Sequence, residues 1–332
     1  MKWGIKMAAK LSRLRKALLS EYLVLYLCIV YFVGFMFINP IFATGDNLFN
    51  IFTSMLPLLV IAVGQTVVLI TGGIDLSVTS IVALCSIVGG SLITSDGGAL
   101  SGSPLATPLA IMITILLAAV IGWFNGFAVT QIKMPPFIVT LTLMMILSGI
   151  AIWYTRSLPV YNLPKSFTML GKGSFYSIPN AAFIVGGAML VIHFMLSKTL
   201  FGSWIYAIGR NAKTSEISGI QVNKMIIFVY VLSAICGAIG AILLTGRLET
   251  GSPVMAKGMF LDVVGAAVIG GTSLFGGKGK VLWTLFGVLF ITLIDNSLNL
   301  MGFSYFTIMM IKGAIILGAA LVDSLRGKLS AA

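Results

Sequence analysis

Apolar runs of about 20 residues, separated only by short polar punctuation, follow one another along nearly the whole chain. A run of that length is what a helix needs to cross the hydrocarbon core of a bilayer. Of the 332 residues, 58% are hydrophobic and 9% charged, against roughly a quarter charged in an ordinary soluble domain, so no water-soluble surface can be built from this composition. A membrane β-barrel would need segments of about 10 residues that alternate apolar and polar. Residues 55–70 and 224–245 are instead apolar on every side. The expected fold class is therefore all-α, a polytopic membrane protein.

Apolar runs and their breaks predict about ten transmembrane helices, near 22–38, 49–70, 76–94, 106–130, 136–154, 180–197, 224–245, 259–276, 281–300 and 304–323. With the N-terminus inside, fifteen Lys/Arg fall in cytoplasmic segments: six in the first 21 residues, then Lys133, Lys198, Arg210, Lys213, Lys224, Lys278, Lys280, Arg326 and Lys328. Five fall outside (Arg156, Lys165, Lys172, Arg247, Lys257), and Lys312 lies within the last span. This positive-inside bias and the even helix number predict that both termini are cytoplasmic. The net charge of +12 is thereby read as a topology signal, with no nucleic-acid partner expected.

Three segments follow: a basic arm 1–21, a transmembrane domain 22–323 and a tail 324–332. The arm and the apolar run after it have the order of a signal peptide. The run ends in Ile38-Asn39-Pro40-Ile41-Phe42 without a small-x-small cleavage pattern, so it is read as a retained first helix. The arm either lies along anionic lipid at the inner surface or is a solvated tail. Cys28, Cys85 and Cys236 sit inside apolar spans without metal-like spacing and are read as packing residues.

Two loops are long enough to carry structure. The outer one, 155–179, combines Pro159, Pro164 and Pro179 with four aromatics, which suits an ordered outer surface. In the inner one, 198–223, Asn211 can cap a short helix over Ala212–Ser218, and Gly219 can end it in the left-handed conformation. Such a helix on the cytoplasmic face reads either as a docking knob or as an ordinary connector.

Two helices are expected to break, near 71–77 and 270–277. Thr71-Gly72-Gly73-Ile74-Asp75-Leu76-Ser77 puts two glycines and a carboxylate into an apolar region. Freed backbone groups at membrane depth must be satisfied by protein or by a water-filled cavity, and a charge there is a functional candidate. Asp75 can equally cap the helix that starts beside it, and capping is the preferred reading. The second break, from Gly270-Gly271-Thr272-Ser273-Leu274 through Gly276-Gly277, echoes the first, and paired interruptions point to internal repeats around a pathway. The glycine-rich segment fails as a phosphate loop: Gly277 stands where lysine is required, and Lys280 precedes Val281. No cofactor is expected on this chain, and any ATP must be used by a partner subunit.

Gln65, Asp75, Asn125, Asp295, Asn296 and Asn299 are candidate substrate-path residues. Asp295 and Asn299, four apart, share a helix face. Lys312 can pair with Asp295 or with Asp262 and so offset the cost of buried charge. One histidine (His193), no cysteine cluster and no converging carboxylates argue against a metal or hydrolytic site, so the chain is not read as an enzyme.

Four motifs in order carry a family resemblance: Thr71–Val78; Pro135-Pro136-Phe137-Ile138-Val139-Thr140-Leu141; Ala207-Ile208-Gly209-Arg210-Asn211 leading to Ser218-Gly219-Ile220; and Val268–Leu274 with Gly276-Gly277. Together with Asp295–Leu300 and Ile311-Lys312-Gly313, they make the chain resemble the ribose-type permeases along nearly its whole length. These are inner-membrane subunits of bacterial ABC importers in the branched-chain amino acid and monosaccharide group. The resemblance implies a second permease chain (homo- or heterodimer), an ABC ATPase at the cytoplasmic face and a periplasmic solute-binding protein outside. It also implies an ATPase-coupling segment at Asn211, Thr214, Ser215, Glu216, Ser218, Gly219 and Ile220, with Glu216 facing the ATPase. A pentose, hexose or polyol is implied as solute, with nucleosides and signalling furanosides left open. Family members usually follow Asp-Leu-Ser-Val with glycine, where this chain has Thr79. The alternative is an ion-coupled secondary transporter, which would also use broken helices but needs no docking helix.

Overall fold

The backbone of residues 22–331 is described in a computed structural model, with side chains described through residue 321. The expected basic arm 1–21 lies outside the described residues. Within them, apolar composition has produced helix almost throughout. The first half holds α1 (Leu23–Ile38), α2 (Gly45–Ile70), α3 (Val78–Ile93), α4 (Ala106–Thr130), α5 (Pro136–Thr155) and the short α6 (Lys165–Lys172). The second holds α7 (Asn180–Lys198), α8 (Leu200–Arg210), α9 (Ala212–Ile217), α10 (Val222–Leu248), α11 (Met259–Ile269), α12 (Val281–Leu300) and α13 (Tyr305–Ala331), which continues across residue 324. A two-strand hairpin, Ser174–Phe175 paired antiparallel with Ile178–Pro179, interrupts the all-α pattern between α6 and α7.

Six helices, α2, α4, α5, α7, α10 and α12, are long and apolar enough to cross a membrane. The apolar parts of α1, α3, α11 and α13 are shorter. Two of these owe their length to the breaks. The expected span 259–276 stops at Ile269, because Gly271 turns the chain left-handed at φ +90°. The break after it extends to Lys280, three residues past the expected 277. The loop expected at 198–223 is mostly the helices α8 and α9, and the other long loop, 155–179, carries α6 and the hairpin.

The core is built around α2 and α10. Residues Met55 to Ile70 of α2 are buried without exception, whereas α4, α5 and α7 turn large apolar side chains outward, as lipid-facing helices do. Between membrane helices, close backbone approach substitutes for a hydrophobic driving force, and small residues permit it. At the α4–α10 crossing, a Cβ on Gly126 would lie 2.5 Å from the Ile227 Cα. At the α2–α10 crossing, one on Gly64 would lie 2.7 Å from the Cys236 Cβ. All three cysteines are buried and free.

The loops sort to two ends. At one, Val160 and Gly251 form an antiparallel bridge, the Thr94 hydroxyl donates to the Tyr161 carbonyl at 2.7 Å, and Lys172 meets Glu249 at 3.1 Å. At the other, the Gly277 N–H donates to the Ile70 carbonyl at 2.8 Å and the Thr140 hydroxyl to the Ile74 carbonyl at 3.2 Å.

Candidate translocation and coupling sites

Both breaks end their helices by the same device. A helix leaves its last carbonyls unpaired, and a left-handed residue just past the end lets two later N–H groups turn back to them. After α2, Gly72 (φ +80°) donates to Leu69 and Gly73 to Val68. After α11, Gly271 donates to Val268 and Thr272 to Ala267. The echo between the breaks is therefore structural but offset by one: Gly72 corresponds to Gly271, so Gly73 and Gly270 play different roles.

Asp75, in the first break, is fully buried. Its Oδ1 accepts from the Ser77 N–H at 3.0 Å and the Ser77 hydroxyl at 2.6 Å, so it bonds the residue immediately ahead of α3, and Ser77 itself holds the N-cap position; its Oδ2 accepts from the Ser233 hydroxyl at 3.3 Å. Gln65, also fully buried, has its amide paired with the Asp75 backbone, donating to the carbonyl at 3.1 Å and accepting from the N–H at 3.2 Å. Asn125 donates to the Ser77 hydroxyl at 2.8 Å. These three candidates thus form one polar cluster linking α2, the break, α4 and α10. Sequence reasoning missed Ser233, whose role appears only when α10 crosses the break, and the part of Ser77, which bonds Asp75 within the break and accepts from Asn125 of α4.

The breaks also meet each other. The Ile70 carbonyl, unpaired at the end of α2, accepts from Gly277. The end of α8 is wedged between them, since a Cβ on Gly209 would overlap the Ile70 carbonyl oxygen and lie 2.5 Å from the Gly277 nitrogen. Tyr206 of α8 donates to the Gly279 carbonyl at 2.6 Å.

The short α9 follows directly. The Asn211 Oδ1 accepts from the Thr214 N–H at 2.9 Å, the N-cap bond its sequence predicts. Gly219 (φ +86°) donates to Glu216, and Ile220 to Ser215, so this helix closes like α2 and α11. Ser215 is buried, while Thr214, Glu216 and Ser218 are exposed and Ile217 is 81% exposed.

At the opposite end, Lys312 of α13 lies 2.9 Å from both oxygens of Asp262 on α11, and 3.0 and 3.1 Å from those of Asp295 on α12. Both pairings weighed from sequence are present at once. The triad borders a cavity of about 310 Å³ that Asn299 also lines. Asn296 does not join them. Its amide exchanges two hydrogen bonds with Asn47 of α2, at 2.9 and 2.8 Å.

Interrupted helices joined at one end, a capped surface helix beside them and a charged cavity at the other end define a polytopic transport protein. A family model described as the permease component of the branched-chain amino acid transport system matches residues 47–320. The ribose import permease protein RbsC of Bacillus subtilis (strain 168) is 38% identical over 288 residues, covering 86% of this chain and 87% of that protein. RbsC of Escherichia coli (strain K12) is 37% identical over 291 residues, 86% and 88% of the two chains. The galactose/methyl galactoside import permease protein MglC of the same strain is 33% identical over 302 residues, 87% and 90%. No solved structure matches. The chain belongs to this permease family and is a multi-pass protein of the bacterial inner membrane.

Proposed function

We propose that this chain is the membrane-spanning subunit of an ATP-driven importer that moves a monosaccharide or related polyol inward. The relatives' own substrates, ribose and galactosides, support a sugar over a branched-chain amino acid. In this reading ten helices span the bilayer, counting α1, α3, α11 and α13 with the six long ones, and both termini are cytoplasmic. The basic loops then gather at the end that carries α8, α9 and the two breaks, as the positive-inside rule requires. The chain binds no cofactor; an ABC ATPase at that end uses the ATP, a solute-binding protein docks at the other, and a second permease chain completes the path.

The observation that carries this reading is the contact of α8 with both breaks, immediately before a capped, exposed α9. Force applied by a partner to α9 reaches α8 through the one-residue joint Asn211 and the packing of the two helices, and α8 is tied to the second break by Tyr206 and packed on the first by Gly209. Closure of the ATPase would thus move both interruptions together and rock the bundle between outward- and inward-facing states. Asp75, Gln65 and Asn125, buried in this conformation, hold the hinge, while Asp295 and Asn299 stand where solute enters.

The test is co-purification with candidate ATPases of the native chain and of a Glu216→Arg, Gly219→Pro variant that still inserts. Proline fixes φ near −65° and cannot take the left-handed turn at 219. Capture of an ATPase by the native chain alone supports the reading. A native chain that purifies without an ATPase and transports sugar on an ion gradient without ATP replaces it with a secondary transporter.

A further inference from the structure

The outer-end cavity has features that a structural ion clamp alone does not need. Its volume of about 310 Å³ sits at the small end of the roughly 300–1,000 Å³ of ligand pockets. Two acidic side chains, Asp262 and Asp295, face two basic ones, Lys312 and Lys257, around it, so the lining is formally balanced and does not select an ion by net charge. Lys312 lies within bonding distance of both oxygens of each carboxylate. An ionised carboxylate offers about four lone-pair positions, so acceptor capacity is left over, and Asp295 is 33% exposed.

Asn299 and Tyr305 add an amide and a phenol hydroxyl at the same rim. Tyr305 is 61% exposed, and it reaches over Gly258, where a Cβ would come within 2.9 Å of the phenol oxygen. Met309 and Ile308 complete the wall with apolar surface. Hydroxyl acceptors and donors beside an aromatic ring and aliphatic side chains suit a ligand with vicinal hydroxyls on one face and C–H groups on the other.

We propose that this cavity is an entry subsite for an uncharged polyhydroxy solute, with Asp295, Asn299 and Tyr305 contacting the hydroxyls and Lys312 holding the two carboxylates in place. The proposal rests on the reading of the chain as a sugar importer. It goes further by assigning the solute's first stop to α11, α12 and α13 of a single chain.

The test is thiol labelling of Asn299→Cys and, separately, Leu261→Cys in the assembled importer in membranes. Both positions line the cavity, and the three native cysteines are buried, so background reaction is slow. A membrane-impermeant reagent is added with neutral pentoses and hexoses, with the corresponding sugar phosphates, or with methylamine. Both cysteines are expected to react, and a neutral sugar at about ten times its dissociation constant slows reaction about tenfold, while phosphates and amine do not. Unreactive cysteines, equal protection by phosphate or amine, or no protection by any neutral sugar overturns the subsite. ATP-driven uptake by the unmodified importer, measured beside these, separates the two failures. Uptake without protection rejects the subsite only, whereas absence of uptake for every sugar rejects the importer reading and the subsite with it.

Discussion

Tyr206 and Gly279, 73 residues apart, are joined by a 2.6 Å hydrogen bond from the phenol hydroxyl to the backbone carbonyl. Through it, the helix that precedes the exposed knob at 212–217 is fastened to the interruption between α11 and α12. No other bond from an α8 side chain to that interruption is found among the described residues, which makes it the point at which coupling can be loosened with least disturbance elsewhere.

Tyr206→Phe removes that bond and nothing else of size, a change of about 1 kcal/mol. The chain is expected to insert normally and to retain its ATPase, while transport per ATP hydrolysed falls severalfold. Uptake and ATP turnover measured on the same proteoliposomes would show it; an unchanged ratio would mean that Tyr206 carries no force.

Gly209→Ala and Gly271→Ala separate two reasons for a glycine. At Gly209 the added methyl overlaps the Ile70 carbonyl, and overpacking of this kind costs about 1–3 kcal/mol. At Gly271 there is open space but φ is +90°, so the cost is backbone strain of about 1–2 kcal/mol. Both lower the melting temperature in detergent. Gly209→Ala alone is expected to impair coupling as well, because it displaces α8.

Asp75→Ala leaves the Ser77 N–H and two hydroxyls without their buried acceptor, at a cost of about 1–3 kcal/mol. Asp75→Asn keeps the side-chain oxygen that accepts from Ser77 and presents an amide that the Ser233 oxygen can accept, so it is expected to be milder. Thermal unfolding followed by size-exclusion chromatography ranks the two. The reverse order would show that the bonds to Ser77 and Ser233 do not dominate.

Lys312→Met leaves Asp262 and Asp295 facing one another without their cation. Breaking a buried pair costs about 3–5 kcal/mol, and the lower end is expected because Asp295 is one-third open. The triple change Asp262→Asn, Asp295→Asn, Lys312→Met removes the uncompensated charge and should recover much of the loss in the same unfolding assay.

The sequence disclosed most where the signal is local. Asn211 and Gly219, which bracket the six residues of α9, announced that helix, and Gly72 and Gly271 announced the breaks. Contacts between distant segments left no such mark. Asn296 was grouped with Asp295 and Asn299 because they are neighbours, yet one residue turns about 100° around a helix, which sends its amide to Asn47 instead. The 198–223 segment read as a loop because its polar residues break the apolar run, although α8 is a helix packed through Ile205 and Ile208. Tyr206 and Gly209 went unnoticed as joints, since each meets a backbone group from elsewhere in the chain. Helix lengths were the least legible, as Leu274 and Phe275 carry the expected span past Ile269, where the helix ends.

The meeting of Ile70, Gly209 and Gly277 at one point constrains how the chain can be recombined with its relatives. A chimaera that exchanges only the amino-terminal half would set a foreign end of α2 against resident residues near 209 and 277, where less than a methyl group of slack exists. Exchanges that carry residues 66–77, 200–210 and 270–284 as a set keep that joint from a single parent. Such three-piece grafts are the ones from which hybrid transporters with altered solute range can be built.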